Sequence, residues 1–261
     1  MDVFAVLIAL LAVLLVSPAK DELNPGDFAR QHLNSIGNDQ ARAAVKNRAA
    51  QGSVTSQVVN GGPQLWVGKA TFFSEGEKVA SLLEFPPTTY HTELFVRNDR
   101  RTSVAQLRPG VWSEFGQFIM VHNEILTEGL WGGTLSTGWA VSRWKENHAK
   151  LQDRGLKKVE GRELRRIDYI PKKSSDLEIQ LYFEPDTFHH VMTLYILNGL
   201  AFPHTQLEER FAVFKSIDNV TLPERWTVEF TPHSGKITRY DVTEEKISQN
   251  ISLDPMAFDV K

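Results

Sequence analysis

Ile179-Gln180-Leu181-Tyr182-Phe183-Glu184-Pro185-Asp186, followed by Met192-Thr193-Leu194-Tyr195-Ile196, decides the fold. In an extended chain Ile179, Leu181 and Phe183 fall on one face and Gln180 and Glu184 on the other. Pro185-Asp186 turns the chain, and Met192, Leu194 and Ile196 alternate again. Moving toward the C-terminus, Leu207, Phe211 and Val213 continue the series. Asp218-Asn219 then turns into Trp226, Val228 and Phe230, and Ser234-Gly235 turns into residues 237–242. Toward the N-terminus, Leu65, Val67 and Phe73 oppose Trp66, Ala70 and Phe72, and Ser74-Glu75-Gly76-Glu77 reads as a hairpin turn into Val79, Leu83 and Phe85. Strands with short turns make an antiparallel meander, which must curl or be covered to hide its apolar face.

Several strands carry large apolar side chains on both faces: Leu65-Trp66-Val67, Thr71-Phe72-Phe73 and Leu194-Tyr195-Ile196-Leu197. A sheet with one face in water does not need this. Either other elements cover both faces, or a concave face is kept apolar for a ligand. Helical periodicity is confined to three places. Residues 25–50 carry Phe28, His32 or Leu33, Ile36, Ala41, Ala44 and Val45 at helical spacing, with start signals at Asn24-Pro25 or Gly26-Asp27 and a break at Gly37-Asn38. Residues 138–151 and 115–127 are the two shorter candidates. The class is therefore mainly β with helices, α+β.

The N-terminus is unbroken apolar sequence from Val3 to Val16, then Ser17-Pro18-Ala19, then Lys20-Asp21-Glu22. Fourteen apolar residues are short for a membrane helix but fit the h-region of a secretory signal, with small residues at the cleavage site. Residues 1–19 are predicted to be a signal peptide and 20–261 a single domain. The n-region carries Asp2 and no Lys or Arg, so an uncleaved anchor is the alternative. The chain has no cysteine, so the exported domain must hold together by burial without disulfides, and it carries no lipidated cysteine. A formal net charge of −3 with mixed signs argues against nucleic-acid binding.

Chemistry-bearing patterns are sparse. The nearest histidine groupings are His122-x-Glu124 and His189-His190; no pair has the i, i+4 spacing of a zinc helix, and neighbours in a strand point to opposite faces. Gly132-Gly133-Thr134-Leu135-Ser136-Thr137-Gly138 is neither a G-x-S-x-G elbow nor a phosphate-binding loop. Its expected role is a tight buried turn that lets Leu130, Trp131 and Trp139 pack close to backbone. No metal or cofactor is expected.

Taken together, the chain resembles the LolA/LolB/RseB-like superfamily, in its divergent outer-membrane lipoprotein-sorting-protein-like branch. The resemblance rests on the export signal, the N-terminal helix, and Gln64-Leu65-Trp66-Val67-Gly68-Lys69 leading into strands. It continues through Gly161-Arg162-Glu163 to Asp168-Tyr169, the strand ending at Phe183 with Glu184-Pro185-Asp186-Thr187, and Glu208-Glu209-Arg210-Phe211. Leu222-Pro223-Glu224-Arg225-Trp226 and the ending Leu253-Asp254-Pro255-Met256-Ala257-Phe258 complete it. The chain departs from the superfamily's carriers at Arg97-Asn98-Asp99-Arg100-Arg101 and in the Gly- and Trp-rich stretch 126–138.

The resemblance implies a curved antiparallel sheet forming an unclosed half-barrel, covered by a helical lid, with an apolar cavity between them. It implies a periplasmic carrier of lipid or lipoprotein acyl chains, working with a delivery partner in the inner or outer membrane. Trp66, Phe72, Leu83, Phe85, Leu181, Phe183, Leu194 and Ile196 are the candidates for cavity or core positions. A second reading is an envelope sensory or assembly module that binds a protein partner through the same fold. A third is a hydrolase, which would require Ser136, His122 or Glu128 to converge in one pocket.

Overall fold

The computed structural model describes residues 22–86, 91–99, 101–173, 175–197 and 205–259. The proposed signal segment lies outside them. No described helix is long and apolar enough to cross a membrane.

The first helix, α1 (Pro25–Ile36), begins where the sequence predicts: Asn24 Oδ1 accepts from Gly26 N at 2.8 Å and Pro25 occupies the first turn. Phe28, Ala29, His32 and Ile36 recur every three or four residues and form its buried face. At Gly37 the chain breaks, and Asn38 caps α2 (Asp39–Ala44) through Ala41 N. Arg42 of α2 donates back to the carbonyls of Leu33 and Gly37, tying the two helices together.

The helical reading of 25–50 is too long at its C-terminal end. Residues from Asn47 onward are a strand, β1 (Asn47–Val58). Helix-favouring Ala49 and Ala50 are captured by pairing on both sides, which outweighs their local propensity of well under ~1 kcal/mol each. The remaining strands are β2 (Leu65–Glu75), β3 (Lys78–Glu84), β4 (Glu93–Asn98), β5 (Arg101–Val104), β6 (Lys150–Val159), β7 (Arg162–Ile170), β8 (Leu177–Phe183), β9 (His190–Leu197), β10 (Gln206–Ile217), β11 (Val220–Thr231) and β12 (Thr238–Gln249).

All belong to one antiparallel sheet of 12 strands, ordered β5-β4-β3-β2-β1-β12-β11-β10-β9-β8-β7-β6. Two meanders, β1 to β5 and β6 to β12, are thus joined by the pairing of β1 with β12. Strands β5 and β6 are free edges, so the half-barrel is not closed. Register shifts at Gln51/Gly52, between Asp153 and Leu156, and at Tyr182/Phe183 bend the sheet. The Asp218-Asn219 turn has φ of 51° and 63° at its two residues, the mirror-image turn that matches strand twist.

Residues 105–149, between the two edge strands, enter the concave side as a plug. It contains α3 (Glu114–Val121), α4 (Glu124–Thr127) and single 3-10 turns at Gly133–Leu135 and Ala140–Ser142. The helix predicted at 115–127 is present as α3 and α4. That predicted at 138–151 is not: Gly138 packs where a Cβ would lie 2.7 Å from the Gly76 carbonyl, and Lys150 already starts β6. Phe115, Ile119, Ile125, Leu130, Trp131 and Leu135 of the plug are buried in one core with the inner faces of the strands. Phe115, Phe95, Trp131 and Trp226 form a chain of ring contacts with centroids 4.9 to 5.3 Å apart along successive pairs.

This plug explains the doubly apolar strands on their inner side. Outside, Phe73 packs with Ala80, Val96 and Phe258 of the C-terminal 3-10 turn (Pro255–Phe258), and Leu194 packs with Leu164, Tyr182, Val191 and Met192.

Candidate functional site: the cleft beneath the helical lid

Helices α1 and α2 close one end of the half-barrel. Between them and the plug lies a cleft of about 580 Å³, within the range of small-molecule sites. Leu33, Ile36, Val45, Trp139 and Val220 supply its apolar walls; Arg48, Ser136, Thr137 and Glu146 supply polar groups. A second groove, lined by Ala29, Leu33, Arg42, Trp144 and Lys145, adjoins it and shares Leu33 and Arg42 with it.

The lid is latched to the plug and the sheet through two buried histidines. Trp139 Nε1 donates to His32 Nε2 at 2.8 Å, so the proton of a neutral His32 must sit on Nδ1, which then donates to the Phe188 carbonyl at 2.8 Å. Burial pushes the His32 imidazole down to about 4, against the opposing bond to Phe188. His190 packs in tilted contact with the rings of Trp139, Phe183 and Phe211 and meets Thr193 Oγ1 at 2.9 Å; burial holds its imidazole well below the ordinary range.

Arg48 is the most consequential group in the cleft. It is 4% exposed, and its Nη1 donates to the carbonyls of Thr134 at 2.7 Å and Leu135 at 2.8 Å. Its Nε is buried with no hydrogen-bond partner, and no carboxylate pairs with it among the described residues. Burial lowers its pKa to about 10, so it stays cationic at neutral pH. A buried guanidinium without a counter-ion carries a desolvation cost of several kcal/mol, roughly, that an anion in the cleft would offset. Sequence reasoning missed Arg48 because it fell inside the overlong helix, where a charge beside Lys46 and Asn47 reads as a solvated face.

Of the eight candidate residues, Phe72, Leu83, Phe85, Leu181 and Phe183 are buried in the main core, and Trp66 packs against it half-buried. Leu194 and Ile196 lie on the opposite face: the ladder pairs Leu194 with Gln180 and Ile196 with Glu178, whereas Tyr195 pairs with inward-facing Ile179. The hollow into which acyl chains were expected to fit holds the plug, and the open volume lies at the lid end. Ser136, His122 and Glu128 do not form a catalytic set. Ser136 Oγ accepts from Gly138 N, Glu128 accepts from Tyr169 Oη at 2.7 Å, His122 faces Glu124 and Asp176, and no hydrogen bond among the described residues joins the three.

An unclosed antiparallel half-barrel with helices at its mouth is the LolA-like fold, as the sequence resemblance implied. Among solved structures, the chain is similar to an outer membrane lipoprotein-sorting protein domain from Vibrio parahaemolyticus, at 9% identity over 90% of this chain and 97% of that one, with a TM-score of 0.52. It is equally similar to a LolA superfamily protein from Nitrosomonas europaea, at 10% identity over 91% and 98% with a TM-score of 0.51. A DUF1329 family protein from Desulfovibrio piger gives 11% identity over 91% and 98% with a TM-score of 0.50. No family model matches the chain, and no curated protein is detectably similar to it in sequence.

Proposed function

We propose that this chain is an exported envelope protein that binds lipids or lipoproteins, seating an acyl chain with an anionic or polar head in the cleft beneath α1 and α2. The observation that carries this reading is the cleft itself, with apolar walls from Leu33, Ile36, Val45, Trp139 and Val220 around a buried, uncompensated Arg48. Each methylene moved from water into such walls contributes roughly 0.8 kcal/mol, and the guanidinium supplies the polar end of the match. Export follows from the apolar N-terminal segment, and the sorting role named for the Vibrio structure is in keeping with it. Ligand entry requires α1 and α2 to part from the plug at the His32–Trp139 latch.

The test is native mass spectrometry of the protein purified from an envelope fraction without detergent, with organic extraction of any bound species. A stoichiometric lipid or acylated peptide is expected, with uptake from phosphatidylglycerol vesicles exceeding that from phosphatidylcholine. Ala43→Trp, which fills the cleft from α2, abolishes uptake. A clean apo mass that also takes up no added lipid overturns the reading in favour of a protein-binding module. That second reading has its own support in Leu65 and Val67, 54% and 61% exposed beside the groove at Phe85 and Pro86.

A further inference from the structure

At the end of the half-barrel opposite the lid, His122, Glu124 and Asp176 converge from three different elements. His122 caps the C-terminus of α3, Glu124 opens α4, and Asp176 directly precedes β8. His122 Nδ1 lies 3.7 Å from Glu124 Oε1 and 3.6 Å from Asp176 Oδ1, and one donor atom from each residue fits within 4.8 Å of the others. Those separations exceed hydrogen-bonding distance, about 2.7–3.2 Å. His122 is only 6% exposed, so the one nitrogen donor of the group is held in a largely enclosed position. Three donors around a tetrahedral ion with bonds of about 2.1 Å stand roughly 3.4 Å apart, close to the 3.7 and 3.6 Å that separate His122 from the two carboxylates.

The ligands are also oriented. The His122 ring packs on Phe118 with centroids 4.7 Å apart, the Ile125 N–H donates to the His122 carbonyl at 3.1 Å, and Ser175 Oγ donates to Glu124 Oε1 at 2.5 Å. Orientation of ligands by such outer contacts is characteristic of protein metal sites.

We propose that His122, Glu124 and Asp176 bind a divalent transition-metal ion. One imidazole and two carboxylates suit Zn²⁺, Mn²⁺ or Fe²⁺, and three protein donors leave at least one position to water. The ion joins the α3–α4 corner of the plug to the loop between β7 and β8, pinning the plug to the sheet at the end away from the lid. The site is independent of the lipid-binding reading and stands or falls without it.

The test is titration of the EDTA-stripped full-length protein with ZnCl₂ and CoCl₂ by calorimetry and visible absorption. One equivalent is expected to bind, with the d–d bands of a four- or five-coordinate Co²⁺ ion and a Zn²⁺-dependent rise in thermal midpoint. Asp176→Asn, at an exposed side chain that the fold does not need, weakens binding at least about tenfold and abolishes the Zn²⁺-dependent rise. His122→Gln does the same. Absence of binding, or binding that neither substitution weakens, overturns the proposal.

Discussion

His32 and Glu209 are both fully enclosed, and they push the stability of the protein in opposite directions with pH. His32 titrates near 4 in the folded chain against an ordinary 6.5, so between those values the unfolded chain binds the proton first. Stability is complete above about 6.5 and falls as the pH drops toward 4, by on the order of 3 kcal/mol from this residue, with His190 adding in the same sense. Compared with the parent protein, His32→Gln should therefore raise the urea midpoint at pH 4.5 relative to that at pH 6.5, a window over which Glu209 and Glu244 act in the opposite direction in both proteins. Glu209 accepts from Gly132 N, Trp226 Nε1 and Tyr195 Oη at 2.7 to 3.0 Å, yet burial dominates and raises its carboxyl to about 8. Its protonated form belongs to the fold, so its contribution is full below the ordinary 4.5 and is lost as the pH rises through 8. Burial raises Glu244, against the nearby Lys215, to about 7 with the same sign. Glu209→Gln keeps an oxygen for Gly132 and Trp226 and turns an NH₂ toward the Tyr195 oxygen. It should abolish most of the stability loss between pH 6.5 and 8 in the same urea titration.

Among the elements, the plug is the one whose local rules are set from outside. Gly132 has φ of 74°, and a Cβ there would lie 2.7 Å from the Phe72 ring. Gly161, in the turn between β6 and β7, has φ of 85° but open space around it. Gly161→Ala should cost only the left-handed backbone strain of about 1–2 kcal/mol. Gly132→Ala adds overpacking of about 1–3 kcal/mol, and calorimetry should show the larger fall in thermal midpoint for Gly132→Ala. The hairpins were legible because each carries its own turn residues between alternating faces, as at Asp218-Asn219. Helix α1 was legible because Asn24, Pro25 and the Phe28–Ile36 spacing are local signals. Strand β1 was not, because Ala49 and Ala50 take their conformation from β2 and β12, partners distant in sequence. Which face of β9 turns inward was not legible either, because Tyr195 and Leu194 are both large and apolar and only the pairing of Tyr195 with Ile179 sets the phase.

At the scale of the whole molecule, sheet, plug and lid share one continuous core, with Trp131, Trp139 and Trp226 buried in it. Unfolding followed by tryptophan emission, to which the plug contributes Trp112, Trp131, Trp139 and Trp144, and by far-ultraviolet circular dichroism, which reports the sheet, should give coincident transitions. A separate early transition in emission would mean that the plug leaves the half-barrel on its own. The sequence by itself determined the mainly β class, the meander, the lid helix and the likeness to LolA-like proteins, because alternation, turn residues and helix caps act over a few residues. Only the tertiary structure decided that the hollow is filled by residues 105–149, that the open space lies under the lid around Arg48, and that His122, Glu124 and Asp176 meet. Those outcomes depend on which distant segments share a surface, and the curvature and register of the 12-stranded sheet fix that through packing that no local pattern encodes.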